Sequence, residues 1–171
     1  MDKQALNGMW DHMRQKYGMY LRALDAIPAD QFGSAPIDGM RTPTQLVVHT
    51  SGNIVRDIAQ GMASGKIAAD GPSEDDVAAS LDSKEAVMNY ARECWAQADA
   101  AMAEVGDEQL QGPVDNNWGI PLNGVFAAII INDEFMHHRG QVYSYVRATG
   151  GEPPFMWDFD GNPEGFGPAA S

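Results

Sequence analysis

Asn132-Asp133-Glu134-Phe135-Met136-His137-His138-Arg139-Gly140-Gln141 is the stretch on which the reading of this chain turns. It lies inside a segment from about Leu122 to Thr149 that reads as one long helix. Gly150 and Gly151 follow that segment, and Pro153 and Pro154 come next, which is how a helix stops: glycine past the end, proline beyond it. On such a helix Glu134 and His138 are four residues apart, so they share one face about a turn from each other. A carboxylate and an imidazole placed this way can offer two ligands to one metal ion. The pair alone is a common pattern, and a third ligand from another helix is needed.

Working outward, three more segments read as helices. From about Gln4 to Ala26, the residues Met9, Trp10, Met13, Tyr17, Tyr20, Leu21 and Leu24 recur at spacings of mostly three and four, one helix face. Pro28 and the run from Gln31 to Met40 form an irregular connection. Thr42 can cap the next helix and Pro43 falls at its first position, where a missing N–H costs nothing; this helix runs to about Met62. Gly61, Gly65 and the stretch ending at Pro72 mark a loop, after which Ser73 can cap a short turn with Glu74, Asp75 and Asp76 as its acidic first residues. The third long helix begins near Ser83 and carries the stripe Val87, Tyr90, Ala91, Cys94, Trp95, Ala98 and Met102. No strand-like alternation competes. The expected fold is therefore all-α, with one helical domain over 1–161 and a flexible tail over 162–171. Phe155, Met156, Trp157 and Phe159 are costly to leave in water, so the tail is expected to pack back onto the helices.

At 171 residues the chain can bury a core without disulfide staples. Its formal net charge of −13 repels phosphate backbones and anionic bilayers, so neither nucleic acid nor membrane is an expected partner. The single cysteine, Cys94, cannot form an internal disulfide, and it sits on a helix stripe as a small buried apolar group. No basic segment followed by an apolar stretch opens the chain, and no apolar run approaches the ~18 to 20 residues that span a bilayer, so a cytoplasmic protein is expected. Phosphate-cradling glycine loops, serine-nucleophile motifs and paired-cysteine zinc patterns are absent from the sequence.

His49 is the candidate third ligand, because its neighbours Leu46, Val47 and Val48 place it toward a helix-bundle interior. The competing reading is ordinary: a histidine on an apolar face is more often a hydrogen-bonded core residue, and Glu134 can pair with His138 or Arg139 on a solvated surface. His137 lies about 100° from His138 around the helix and reads as an outlying or interface residue, although a trio of His49, Glu134 and His137 is also compatible with the spacing. His12 reads as a surface residue near a pocket mouth. Trp10, Tyr17 and Trp95 read as core. Arg139 and Arg147 can serve either an anionic substrate or ion pairs within the bundle or a dimer.

The run His137-His138-Arg139-Gly140-Gln141, followed by Tyr143 to Arg147, Gly150 and Pro153-Pro154, resembles the last helix of DinB-like proteins. The Gly39-Met40-Arg41-Thr42 turn ahead of the His49 helix resembles that family's second helix. The resemblance implies a four-helix bundle with a crossover connection, often a homodimer. It also implies one metal ion held by a histidine of the second helix and a His-xxx-His pair of the fourth. Carried over, these positions are His49, Glu134 and His138, with glutamate standing where the family has the earlier histidine of the pair. Two histidines and a carboxylate still suit zinc or non-haem iron, and nickel or manganese enter with the resemblance. The function it implies is that of a metal-dependent enzyme on a small molecule, by thiol transfer with a low-molecular-weight thiol or by hydrolysis. The alternative is a non-catalytic bundle that binds a small ligand or partner and keeps a vestigial site.

Overall fold

The computed structural model describes residues 1–168, and the last three residues of the 162–171 tail lie outside that range. Four long helices make the bundle. Helix α1 spans Lys3–Asp25, capped by the Asp2 carboxylate on the Ala5 N–H. Helix α2 covers residues 43–64 in three continuous pieces: α-helical Pro43–Val47, π-helical Val48–Asp57 and α-helical Ile58–Ser64. The short α3, Glu74–Ser80, follows its loop, then α4, Lys84–Glu104, the short α5, Asp107–Gln111, and α6, Gly124–Ala148.

The starts are those the sequence predicts. The Thr42 hydroxyl accepts from the Gln45 N–H at 3.2 Å, while the Gln45 side chain accepts from the Thr42 N–H at 3.0 Å, a reciprocal cap with Pro43 at the first helical position. Ser73 and Ser83 cap α3 and α4 through their hydroxyls, and Gly150 takes the left-handed conformation just beyond α6 at φ 83°. Among the described residues there is no strand, only two isolated bridges, and no helix is long and apolar enough to cross a membrane.

Helix α1 is flanked by α4 and α6, and α2 is flanked by the same two. The first and second long helices thus stand diagonally across the bundle, as do the third and fourth, and the 26–42 connection crosses it. Tyr17 ties the core together. Its hydroxyl lies 2.8 Å from both the Ala91 carbonyl of α4 and the Ser51 hydroxyl of α2. Its ring sits 4.7 Å from Trp95 and 5.6 Å from Phe135, centroid to centroid. Trp10 stacks on Trp95 at 4.8 Å, so these aromatics are core, as their spacing indicates.

The tail packs on the bundle as expected, with Phe159 edge-on to His12 of α1 at 5.8 Å. Phe166 reaches Tyr17 and Trp95 at 6.0 and 5.9 Å, and Asn162 donates to the Gln15 carbonyl at 2.8 Å. Gly18 makes room: a Cβ there would meet Phe166 and Asn162 at under 3 Å. Phe155, Met156 and Trp157 instead remain 71%, 44% and 60% exposed. The ion pair of Arg22 with Asp158 at 2.8 Å anchors the chain just after them, beside the packed Phe159.

Candidate metal centre

His49 is the second residue of the π-helical piece of α2. This piece holds Thr50, Ser51, Gly52 and Asn53, poor α-helix formers, and it packs broadly against α4. A Cβ at Gly52 would run into the Tyr90 hydroxyl of α4, so glycine permits the close approach. Sequence periodicity predicts an ordinary α-helix through these residues. The wider i→i+5 turns found there are a difference that propensity does not encode, and such turns are frequent at functional sites.

His49 of α2 and His138 of α6 meet edge to face, with ring centroids 4.8 Å apart and planes at 89°. The Nδ1 of His49 lies 2.7 Å from a Glu74 carboxylate oxygen. An ionised carboxylate only accepts, so Nδ1 donates, and in the neutral ring Nε2 then keeps its lone pair. Asn53, one turn along α2, donates to the same Glu74 oxygen at 2.7 Å, and Arg41 stands 3.8 Å from the other. The Tyr145 hydroxyl donates to the Arg41 carbonyl at 2.7 Å, pinning the turn ahead of α2 to α6.

On the other side, His138 Nδ1 lies 2.9 Å from Gln141 Oε1, and the Gln141 amide group donates to His137 Nε2 at 3.1 Å. That arrangement protonates Nδ1 of His138 and leaves its Nε2 bare. The atom is buried, has no hydrogen-bond partner, and faces a Glu134 oxygen at 3.5 Å. Burial, the largest influence, holds the imidazole below its ordinary value, and the neighbouring His49 and His137 act the same way. The Gln141 hydrogen bond and Glu134 pull it up. A neutral ring therefore presents a lone pair to a carboxylate. Two acceptors face each other across a gap that a cation would fill.

The donor chemistry suits a divalent ion: two imidazole nitrogens on facing helices and a carboxylate a turn away. The three are not drawn into a finished coordination shell. Among the described residues no group of three or more His, Cys, Asp or Glu side chains is close enough to hold an ion. Glu134 is the outlying member, with 48% of its side chain exposed and free to swing, whereas the His138 side chain is 5% exposed. His137 is exposed and engaged by Gln141. His12 packs edge-on against Phe159 at 5.8 Å, away from the pair. Cys94 is buried, and burial raises its thiol pKa, as expected of an unreactive core thiol.

Glu74 is the residue beside His49 that sequence reasoning misses. Its sequence context marks it only as an acidic first residue of a short helix, and contact with His49 arises from the fold of the intervening loop. Beyond Glu74 and Asn53 opens a cleft of about 810 Å³, lined also by Arg56, Tyr90, Gln97 and Trp118.

A family model of the DinB superfamily matches residues 12–142, most of the chain, and includes His49, Glu74, Glu134 and His138. The chain belongs to the DinB superfamily. Its fold is similar to that of a DinB-like protein from Bacillus subtilis, YjoA, with a TM-score of 0.69 at 17% identity over 87% of this chain and 96% of that one. The comparison with curated proteins finds no match. This DinB-superfamily chain thus has its fold in common with YjoA, while its glutamate at position 134 departs from the three-histidine pattern that its sequence resemblance implies.

Proposed function

We propose that this chain is a metal-dependent enzyme acting on a small molecule, with His49, Glu134 and His138 holding one divalent ion, zinc or nickel before iron or manganese. The observation that carries the reading is the buried, unpartnered His138 Nε2 facing the Glu134 carboxylate at 3.5 Å, with the His49 ring beside it. Leaving a buried polar atom unsatisfied is unfavourable, and a ligand for that atom removes the cost.

When bound by three protein groups, such an ion supplies an open position where a water or a thiol becomes acidic near neutral pH. The chain's own residues prepare the rest. Glu74 and Gln141 hold the two imidazoles in the tautomer that exposes Nε2, the outer-shell role that orients metal-binding histidines. Asn53 and Arg41 hold Glu74 in turn. The cleft beyond Glu74 offers Arg56, Gln97 and Tyr90 to a small polar substrate. Thiol transfer, with a low-molecular-weight thiol as second substrate, stands slightly ahead of hydrolysis.

The test is a panel of small thiols with electrophiles, beside hydrolysable esters and amides, run on the parent and on His49→Ala and His138→Ala. Turnover in the parent and its loss in both variants is the expected outcome; full activity in either variant removes the mechanism. The second reading, a non-catalytic bundle with a vestigial site, draws on the unfinished shell around the outlying Glu134. It predicts a thermal melt that chelator does not shift, because only an ion bound to the native state stabilises it by mass action.

A further inference from the structure

The cleft beyond Glu74 is walled by two loops that are stitched to each other. One follows α2 and the other precedes α6, and both contribute lining residues. The Ile67 N–H donates to the Asp115 carbonyl at 2.9 Å, and the Asp115 N–H donates to the Gly65 carbonyl at 2.8 Å. Within the second loop the Val114 N–H donates to the Leu122 carbonyl at 2.9 Å, so the turn that carries Trp118 closes on itself. The Asn116 side chain braces that turn, accepting from the Trp118 N–H and donating to the Ile120 carbonyl, each at 3.0 Å. A cavity of about 810 Å³ between walls joined in this way has the size of a preformed small-molecule site.

Its lining has two characters. Ile67, Pro72, Val77 and the indole of Trp118, 44% exposed, offer apolar surface. Asp57, Asp70 and Glu74 set three carboxylates against one cation, Arg56. That cation is already matched, since its Nε donates to Asp57 Oδ1 at 2.6 Å. Glu74 receives His49 and Asn53 on one oxygen at 2.7 Å each and has Arg41 3.8 Å from the other. Asp70 is the carboxylate left over, in no ion pair among the described residues. A cleft lined with an excess of one sign draws in the opposite sign, so a cation is favoured here and an anion repelled. The indole face acts in the same direction, because its negative quadrupole attracts an ammonium laid over it.

We propose that this cleft takes a small amphipathic amine, a molecule with a protonated primary amine on an apolar or aromatic body. The ammonium pairs with Asp70, and the body lies against Ile67, Pro72, Val77 and the Trp118 indole. The inference names the substrate class of the site proposed above, and it rests on that reading in taking the bound amine as the substrate. Glu74 belongs both to the cleft and to the His49 ring, so a molecule held there stands beside the proposed metal.

The experiment is isothermal titration of the parent chain with 2-phenylethylamine, 2-phenylethanol and 3-phenylpropionate. These probes share an aromatic body and differ in carrying a positive charge, none, or a negative charge at neutral pH. Ionic strength is held constant with sodium chloride. Saturable binding of the amine is expected, with the alcohol about threefold or more weaker and the carboxylate weaker still. Asp70→Asn should bring the amine down toward the alcohol, and Trp118→Ala should weaken amine and alcohol alike by about three- to tenfold. Both side chains are exposed on loops, so both variants should fold. Absence of saturable amine binding overturns the proposal. So does an alcohol or carboxylate that binds as tightly as the amine, or an amine affinity unchanged in either variant. Metal content is measured on the same samples. Amine binding absent from metal-loaded protein removes this inference alone, while amine binding by protein that takes up no metal removes the metal reading alone.

Discussion

The Nε2 of His138 and the carboxylate of Glu134 stand 3.5 Å apart on adjacent turns of α6, with no hydrogen bond between them. Metal-free protein can relieve that arrangement by protonating the ring, which burial opposes, or by turning the half-exposed Glu134 outward. The folded-state value of His138 is lowered from its ordinary 6.5, with burial as the first cause. A histidine lowered in the folded state binds its proton more readily in the unfolded chain, so acid favours unfolding. The contribution is full above about 6.5 and is lost as the pH falls through 6.5 toward the depressed value. Melts of chelator-treated protein between about pH 7.5 and 5.5 should show stability falling with pH, with a shallower slope in His138→Gln. An unchanged slope in the variant would assign the dependence elsewhere.

Glu74 holds the His49 ring through Nδ1 at 2.7 Å. Removing the negative charge with Glu74→Gln should lower metal affinity by about 10- to 100-fold, the usual cost of losing an outer-shell partner, while leaving the fold intact. Competition against a chromogenic chelator measures it. Equal affinity in parent and variant would show that Glu74 does not act through His49.

Gly52 sits where any Cβ would meet the Tyr90 hydroxyl. Gly52→Ala should destabilise the protein by about 1 to 3 kcal/mol, the range for forcing extra atoms into a packed interface. Adding Tyr90→Phe removes the oxygen and should recover most of that loss in a double-mutant cycle of urea melts. A purely additive cycle would locate the cost in the backbone of the π-helical piece instead.

The Tyr17 hydroxyl joins α1 to the Ala91 carbonyl of α4 and to Ser51 of α2, at 2.8 Å each, inside the core. Tyr17→Phe removes the bond to Ser51 and the extra bond to the helical Ala91 carbonyl inside the core, so a loss of about 1 to 3 kcal/mol is expected in denaturant melts. A neutral substitution would mean the core repacks around the missing oxygen.

These sites differ in how far the sequence announces them. Helix starts are local, so Thr42, Ser73 and Ser83 are readable as caps from a few residues each. His49 and His138 are readable as inward-facing because apolar neighbours fix their helix faces. Glu134 is readable as a neighbour of His138 by its spacing, but not as half exposed, because side-chain direction at a helix edge depends on what packs there. Glu74 reaches His49 across a loop, and no local pattern encodes that contact. The π-helical turns pack closely against Tyr90, a residue on another helix, and no local pattern encodes them. The tail shows the same limit: composition says that aromatics should return to the bundle, while Gly18 and the Arg22–Asp158 pair decide that Phe166 does so and Trp157 does not.

The most direct measurement is the elemental content of tag-free protein beside its His138→Ala variant, each after incubation with zinc, nickel and manganese. About one equivalent of a transition metal in the parent and none in the variant is the predicted result, from a site of three protein ligands. No bound metal in either protein, or equal metal in both, would contradict it.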